Sequence, residues 1–190
     1  MPPKTKVTKD MIVDAAVEVA RREGAERVNA RTVAEQLHCS TQPVMYHFAT
    51  IDSLKSAAYA RVNEDHSQYL MNVPPGQDPI LGIGLNYIRF AVEEPHLFRF
   101  LFQSGYAEEN SLPDMISAGE LEPILAAMQE GLGMDLKQTR DVFLTVALFT
   151  HGYASIIANN ALEYDEALAA SHLDRAWDGA VFAARKEDKT

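Results

Sequence analysis

The chain of 190 residues contains one cysteine, Cys39, and one tryptophan, Trp177. A single thiol excludes an internal disulfide framework and any zinc or iron–sulfur site built from several cysteines. Sustained apolar–polar alternation, the pattern of a half-buried strand, is missing along the whole chain, so a sheet is not expected. The sequence starts Met-Pro-Pro-Lys-Thr-Lys and has no apolar segment there; no secretory leader is read, and a cytoplasmic setting is the expectation. The uncharged stretch 142–158 is broken by Thr145, Thr150, His151, Gly152 and Ser155. It reads as too short and too polar for a bilayer span of about 20 apolar residues, so no membrane partner is expected.

Catalytic signatures are also lacking. There is no G-x-S-x-G elbow, no P-loop and no H-E-x-x-H pair. Gly82-Ile-Gly84 has no strand before it and reads as a packing feature. Cys39 has His38 as its sequence neighbour, but a nucleophilic thiol needs an oriented base and an oxyanion hole, and adjacency supplies neither. Glu93-Glu94 and Glu108-Glu109 read as solvated charge. No enzyme activity, metal or other cofactor is therefore expected.

Basic residues are scarce: 17 Lys and Arg against 27 Asp and Glu, a formal charge of −10. They are unevenly placed. Residues 1–62 carry nine basic and seven acidic side chains, a balance of +2, and the remainder carries −12. A mildly basic end on an acidic body permits contact with nucleic acid at that end only.

What is present is helical spacing almost throughout, with 47% apolar and 23% charged residues, the balance of a globular core. Met11, Ile12, Ala15, Ala16, Val19 and Ala20 recur at three and four, with Thr8 as cap and Gly24 as stop. A short helix follows Asn29, with Val33, Ala34 and Leu37 inward. A tight turn over 38–40 leads to another short helix from Thr41 to about Phe48, and a longer one covers about 51–72. The Pro- and Gly-rich segment 73–79 is the clearest break. Helices are then predicted over 80–93, from Pro95 onward, over about 121–131, from a capping box at Asp135 and Gln138 to about 161, and over about 163–185. Residues 105–112 are read as a loop. The fold class is all-α, with about nine helices.

Two short helices joined by a three-residue turn form the unit that places its second helix in the DNA major groove. At the start of that helix stand Ser40, Thr41, Gln42 and Pro43. Ser40 is the expected cap, and Pro43 fits the first turn, where its missing N–H does no harm. Gln42 can make a bidentate contact to adenine, and Thr41 can reach a phosphate or a thymine methyl. Arg31, Thr32, Lys55 and Lys9 are candidate backbone contacts, and Lys4 and Lys6 extend the basic arm. Tyr46 and His47 have two readings, phosphate contact and packing of the motif. Phe48 is core.

Residues 29–48, followed by Ile51-Asp-Ser-Leu54, resemble the DNA-binding motif of the TetR family of transcriptional regulators. The shared features are the first helix up to Gly24, the Val33-Ala34 pair, the tight turn, Tyr46-His47-Phe48 and Leu54. Ser-Thr-Gln-Pro at 40–43 is similar to one subgroup. His38 stands where the family usually has glycine, Cys39 replaces an aliphatic residue, and Met45 stands where an aromatic is common. That last difference leaves the register of Met45 and Tyr46 open.

The resemblance implies a three-helix head at 7–50, a connector helix at 51–72 and an effector-binding and dimerisation body at 73–190. It implies a homodimeric repressor that binds a palindromic double-stranded operator and releases it to a small apolar effector. Alternatives are the same fold binding DNA without an effector, and an all-α interaction protein that does not bind DNA. Tyr87, Phe90, Phe98, Phe102 and Phe143, with the soft side chains Met71, Met115 and Met128, are the candidate pocket lining; core packing is the competing reading. Leu144, Leu148, His151, Gly152, Ile156, Trp177 and Val181 are the candidate dimer interface, with Val142, Ala147, Leu168, Leu173 and Phe182 alongside. His151 has no second ligand at helical spacing, which favours a satisfied interior or interface histidine over a metal site.

Overall fold

A computed structural model describes residues 7–106 and 121–187. Lys4, Lys6, Met115, the glutamate pair Glu108-Glu109 and most of the expected loop 105–112 lie outside those residues. Among the described residues there are nine α-helices and no strand. They are α1 (Lys9–Glu23), α2 (Ala30–Gln36), α3 (Gln42–His47), α4 (Ile51–Met71), α5 (Pro79–Glu93), α6 (Pro95–Gln103), α7 (Glu122–Leu132), α8 (Leu136–Asn160) and α9 (Glu166–Glu187). A 3₁₀ turn, Ala25–Arg27, follows α1.

The helix ends follow from local chemistry. The Thr8 side chain accepts from the Met11 amide, and Gly24 ends α1 at φ 94°. The Asp135 carboxylate accepts from the Gln138 amide at 2.8 Å, while the Gln138 side chain accepts from the Asp135 amide at 3.1 Å. This is the reciprocal cap that satisfies two otherwise orphaned donors of α8. Gly133, at φ 63°, ends α7 in the left-handed region that glycine enters without penalty.

The chain divides into two compact units, Met1–Tyr69 with Glu93–Ala107, and Leu70–Val92 with Glu108–Thr190. Sequence alone assigns 95–103 to the body. In the structure α6 belongs to the first unit, where Arg21 Nε of α1 donates to the Glu94 carboxylate at 3.0 Å. The core of this unit includes Ile12, Val19, Val28, Val33, Val44, Leu54, Val62, Phe98 and Phe100, all nearly inaccessible to solvent.

The second unit is centred on Met128, Met134, Val142, Ala180 and Ala184, with Phe143, Trp177 and Val181 packed against them. Helices α8 and α9 run antiparallel. Gln138 near the start of α8 donates its side-chain N–H to the Ala184 carbonyl near the end of α9, at 3.5 Å. At 25 residues, α8 extends well beyond 142–158. As a whole it is long and apolar enough by length and composition to cross a membrane, unlike its uncharged middle section. One face is instead spent inside the unit: Thr139, Val142, Thr150, Ala154, Ile157 and Ala158 are buried.

Candidate nucleic-acid interface

The first unit shapes one exposed short helix. The turn between α2 and α3 is a Schellman closure, which returns two backbone donors to the end of α2. The Cys39 amide donates to the Ala34 carbonyl at 3.0 Å and the His38 amide to the Glu35 carbonyl at 3.1 Å. His38 occupies the left-handed position at φ 51°. Histidine tolerates this region better than most non-glycine residues, which lets it stand where the resembled motif usually has glycine. Cys39 is half-buried, with Sγ 3.3 Å from the Ser40 carbonyl.

Val44 and Phe48 drive α3 into the core at 0% and 4% exposure, which turns the other side of the helix outward. Ser40, Thr41, Gln42, Met45 and Tyr46 are all exposed, Tyr46 at 83%. An exposed tyrosine on a six-residue helix contributes little to folding and offers a ring and a hydroxyl to a partner. Met45 is exposed as well, so both residues of the open register lie on the outer side.

The cap differs from expectation. The residue before α3 is Thr41, in helical conformation at φ −70° and ψ −13°, and no side chain caps the helix. Ser40 lies one residue too early to do so. Pro43 sits in the first turn as expected.

Thr32 is committed locally: its hydroxyl donates to the Arg27 carbonyl at 2.8 Å and accepts from the Asn29 amide at 3.2 Å. It thereby completes the cap of α2, with Asn29 Oδ1 accepting from the Arg31 and Thr32 amides. Its hydroxyl proton is therefore spent within the chain. Arg31 is exposed and pairs with Glu35 one turn on at 2.9 Å, an ion pair that water and salt screen easily. Lys55 is half-buried in the first turns of α4.

Lys9 is exposed, with Nζ 5.3 Å from the centre of the Phe48 ring, a cation–π arrangement. His47 is half-buried: Nε2 lies 3.3 Å from the Val7 carbonyl, and its ring meets Tyr46 edge-on at 5.2 Å. The structure thus separates Tyr46, which faces solvent, from His47, which is tied to the chain before α1.

In the second unit several candidate pocket residues are packed as core. Phe90 and Met128 are exposed by only 4% and 3%, and Phe143 leans on the Met128 cluster. Phe98 and Phe102 belong to the first unit, with Phe98 completely covered and Phe102 edge-on to His66. A side chain without accessible surface fills space rather than lining a cavity. Met71 is largely exposed. Tyr87 is the exception in kind. Burial pushes its phenol pKa upward, and its hydroxyl lies 2.8 Å from His151 Nδ1, whose own pKa burial pushes down.

Helices α8 and α9 leave Leu148, Phe149, Ile156, Leu168 and Phe182 exposed. Leu144 lines a groove between α8 and α9 whose other wall includes Ala176, Gly179 and Ala183. Gly152 is half-buried, and a Cβ there would meet nothing within 4 Å in the chain itself. Val142 and Leu173, read as interface positions, are instead buried inside the unit; Leu173 is the neighbour that a Cβ on Gly84 would meet. Trp177 and Val181 pack in part on the chain's own core. Among the described residues no group of three or more His, Cys, Asp or Glu side chains is placed to hold a metal ion.

Similar architectures are known. A TetR-family transcriptional regulator from Streptomyces coelicolor superposes with a TM-score of 0.73 at 16% identity, over 95% of this chain and 83% of the other. A TetR-like transcriptional regulator from a Rhodococcus species gives 0.61 at 17% identity, over 90% and 94%. The multidrug binding protein EbrR, complexed with ethidium, gives 0.60 at 21% identity, over 88% and 97%. At these identities the likeness establishes the fold. No curated protein matches the sequence. Residues 80–181 match the family described as Tetracyclin repressor-like, C-terminal domain. That match spans more than half of the chain, and the chain belongs to the TetR family of regulators.

Proposed function

We propose that the protein is a homodimeric transcriptional repressor that reads a palindromic operator through α3 and releases it when a small apolar effector binds the second unit. The observation that carries the DNA reading is the outer side of α3. Gln42 and Tyr46 are held in solvent by a turn and a core that use other residues. Gln42 suits bidentate contact with adenine, Thr41 and Tyr46 suit phosphate, and Arg31, Lys9 and Lys55 supply positive charge around them.

Dimerisation is supported by the number of large apolar side chains that α8 and α9 leave exposed, among them Leu148, Ile156, Leu168 and Phe182. Two copies joined there would form a four-helix interface. Their α3 helices would have to lie about 34–36 Å apart to enter successive major grooves. An effector acts only through its different affinity for the DNA-competent and incompetent states. EbrR, which shares the fold, is a multidrug binding protein, and that makes planar aromatic compounds the first to screen.

A second reading, DNA binding without a small-molecule effector, is favoured by the tight packing of Phe90 and Met128. Selection of random duplex DNA by the purified protein tests the first part. Enrichment of a palindrome with half-sites about one helical turn apart is expected. Retention without any shared motif sinks the operator reading. A thermal-shift screen tests the second part: stabilising compounds that also lower DNA affinity are expected, and their absence favours the second reading.

A further inference from the structure

We propose that Asn86, Arg89 and Glu166 form a polar relay through which the first turn of α9 sets the end of the connector helix α4, with Asn86 as its positioning residue. Leu70, Asn72 and the three residues of the relay all belong to the second unit. Asn86 is 4% exposed on α5, and its side-chain nitrogen donates to two carbonyls, Leu70 at 3.1 Å and Asn72 at 3.3 Å. Both lie at the end of α4, where the last carbonyls find no donor inside the helix. The same amide accepts on its other side: Arg89, one turn on, donates from Nη1 to Asn86 Oδ1 at 2.9 Å. Carbonyls only accept and a guanidinium only donates, so one orientation of the amide satisfies all three contacts. The second nitrogen of the Arg89 fork, Nη2, donates to the Glu166 carboxylate at 2.8 Å. Glu166 stands in the first turn of α9. The contacts therefore run without a gap from α4 through α5 to α9.

The Gly82-Ile-Gly84 segment has a place in the same arrangement. A Cβ on Gly82 would stand 2.4 Å from Val73 Cγ1, and one on Gly84 would stand 3.2 Å from Leu173 Cδ1. Gly82 thus lets the residue just after α4 press against α5, and Gly84 lets α9 do the same. Gly82, Asn86 and Arg89 recur at four and three, the spacing of one helix face. That face holds the end of α4 by shape at Gly82 and by hydrogen bonds at Asn86. The inner link is buried, whereas the outer one is open: the side chains of Arg89 and Glu166 are 31% and 52% exposed. An ion pair so accessible to water adds little to folding. It is a brace that shifts easily. Covering or moving the start of α9 alters its hold on Arg89, and with it the hold of Asn86 on α4.

Amide hydrogen exchange of the full chain, followed by mass spectrometry on the peptide 66–73, tests the relay without DNA. Asn86→Asp keeps the acceptor for Arg89 and loses both donors; it should raise exchange there about fivefold, the effect of one net hydrogen bond. Glu166→Ala, on another helix, should raise it about twofold, the effect of an exposed ion pair. Glu166→Gln, whose amide oxygen still accepts from Arg89, should keep the parent rate. In an Arg89→Met chain the added change Glu166→Ala should do nothing further. Parent exchange at the end of α4 in Glu166→Ala overturns the proposal and leaves Asn86 a local cap. An equal rise from Glu166→Ala with and without Arg89 overturns it as well. The exposed Glu166 variants decide the matter even if Asn86→Asp does not fold. The link to DNA rests on the reading of α3 as the DNA-reading helix and has its own readout, because coupling between two sites is reciprocal. The palindromic duplex that the parent chain enriches should change exchange in the peptide 163–170 of the parent and not of Arg89→Met. No change in the parent, or the same change in both, overturns that link. If the parent chain enriches no DNA, the reading of α3 fails, while exchange in the free chain still decides the relay.

Discussion

The Tyr87 hydroxyl and Nδ1 of His151 are 2.8 Å apart, which joins α5 to the middle of α8 by a hydrogen bond. Burial holds the phenol in its neutral form and disfavours the imidazolium, so a neutral pair shares one proton. This accounts for His151 without a metal, on a stretch of sequence where a lone histidine invites one. Tyr87→Phe keeps the ring and removes the hydroxyl, leaving the His151 nitrogen without this partner. We expect a loss of about 1–2 kcal/mol, measured by urea denaturation of the full chain. No loss would show that water replaces the contact freely.

A second histidine gives a pH dependence. His66 is 5% exposed and packs edge-on to Phe102, and burial pushes its pKa down to about 4. The unfolded chain takes up this proton near pH 6.5, whereas the folded chain refuses it until about pH 4. The stability of the neutral buried ring is therefore complete above pH 6.5 and is lost as the pH falls towards 4. The full effect is about 3 kcal/mol. Denaturation midpoints of the parent chain and His66→Phe, compared between pH 7 and pH 4, should show a shallower acid loss in the variant. Parallel curves would contradict it.

Gln42 and Lys9 should fail in different ways. Gln42→Ala should weaken specific binding by about 1–3 kcal/mol and relax base preference at one position per half-site. Lys9→Ala should weaken binding to all sequences alike. It should also reduce folding stability by about 0.5–1 kcal/mol, because its ammonium lies over Phe48. Binding titrations on matched and scrambled duplexes separate the two. Parent-like binding by both variants would remove α3 as the reading helix.

Ile156 is 58% exposed on α8. Ile156→Glu should leave the fold of one chain intact and convert a dimer into monomers in sedimentation, since a carboxylate in an apolar interface is costly to desolvate. Gly152→Ala is a useful companion. A Cβ there meets nothing within the chain, so weakened association from this change would come from the partner copy. Unchanged association in both variants would move the interface elsewhere.

The helices and most of their ends are legible in the amino-acid order, because they depend on neighbours a few residues away. Thr8, Gly24, Asn29, Gly133 and the Asp135–Gln138 pair act within one turn of the chain, and apolar spacing needs no tertiary knowledge. The short-helix pair and its tight turn are legible for the same reason, including His38 in a position where glycine is usual. Folding assigns the outward or inward role that a legible residue takes. Thr32 is drawn into a cap, His47 onto Val7, and Val142 and Leu173 into the core, while Ile156 stays in solvent. Folding also gives α6 to the first unit through Arg21 and Glu94, which are 73 positions apart in the chain. Aromatic residues such as Phe90 and Phe98 carry no mark in sequence that separates packing from lining. That distinction is set by the side chains that distant helices bring against them, and those arrive only when the chain packs.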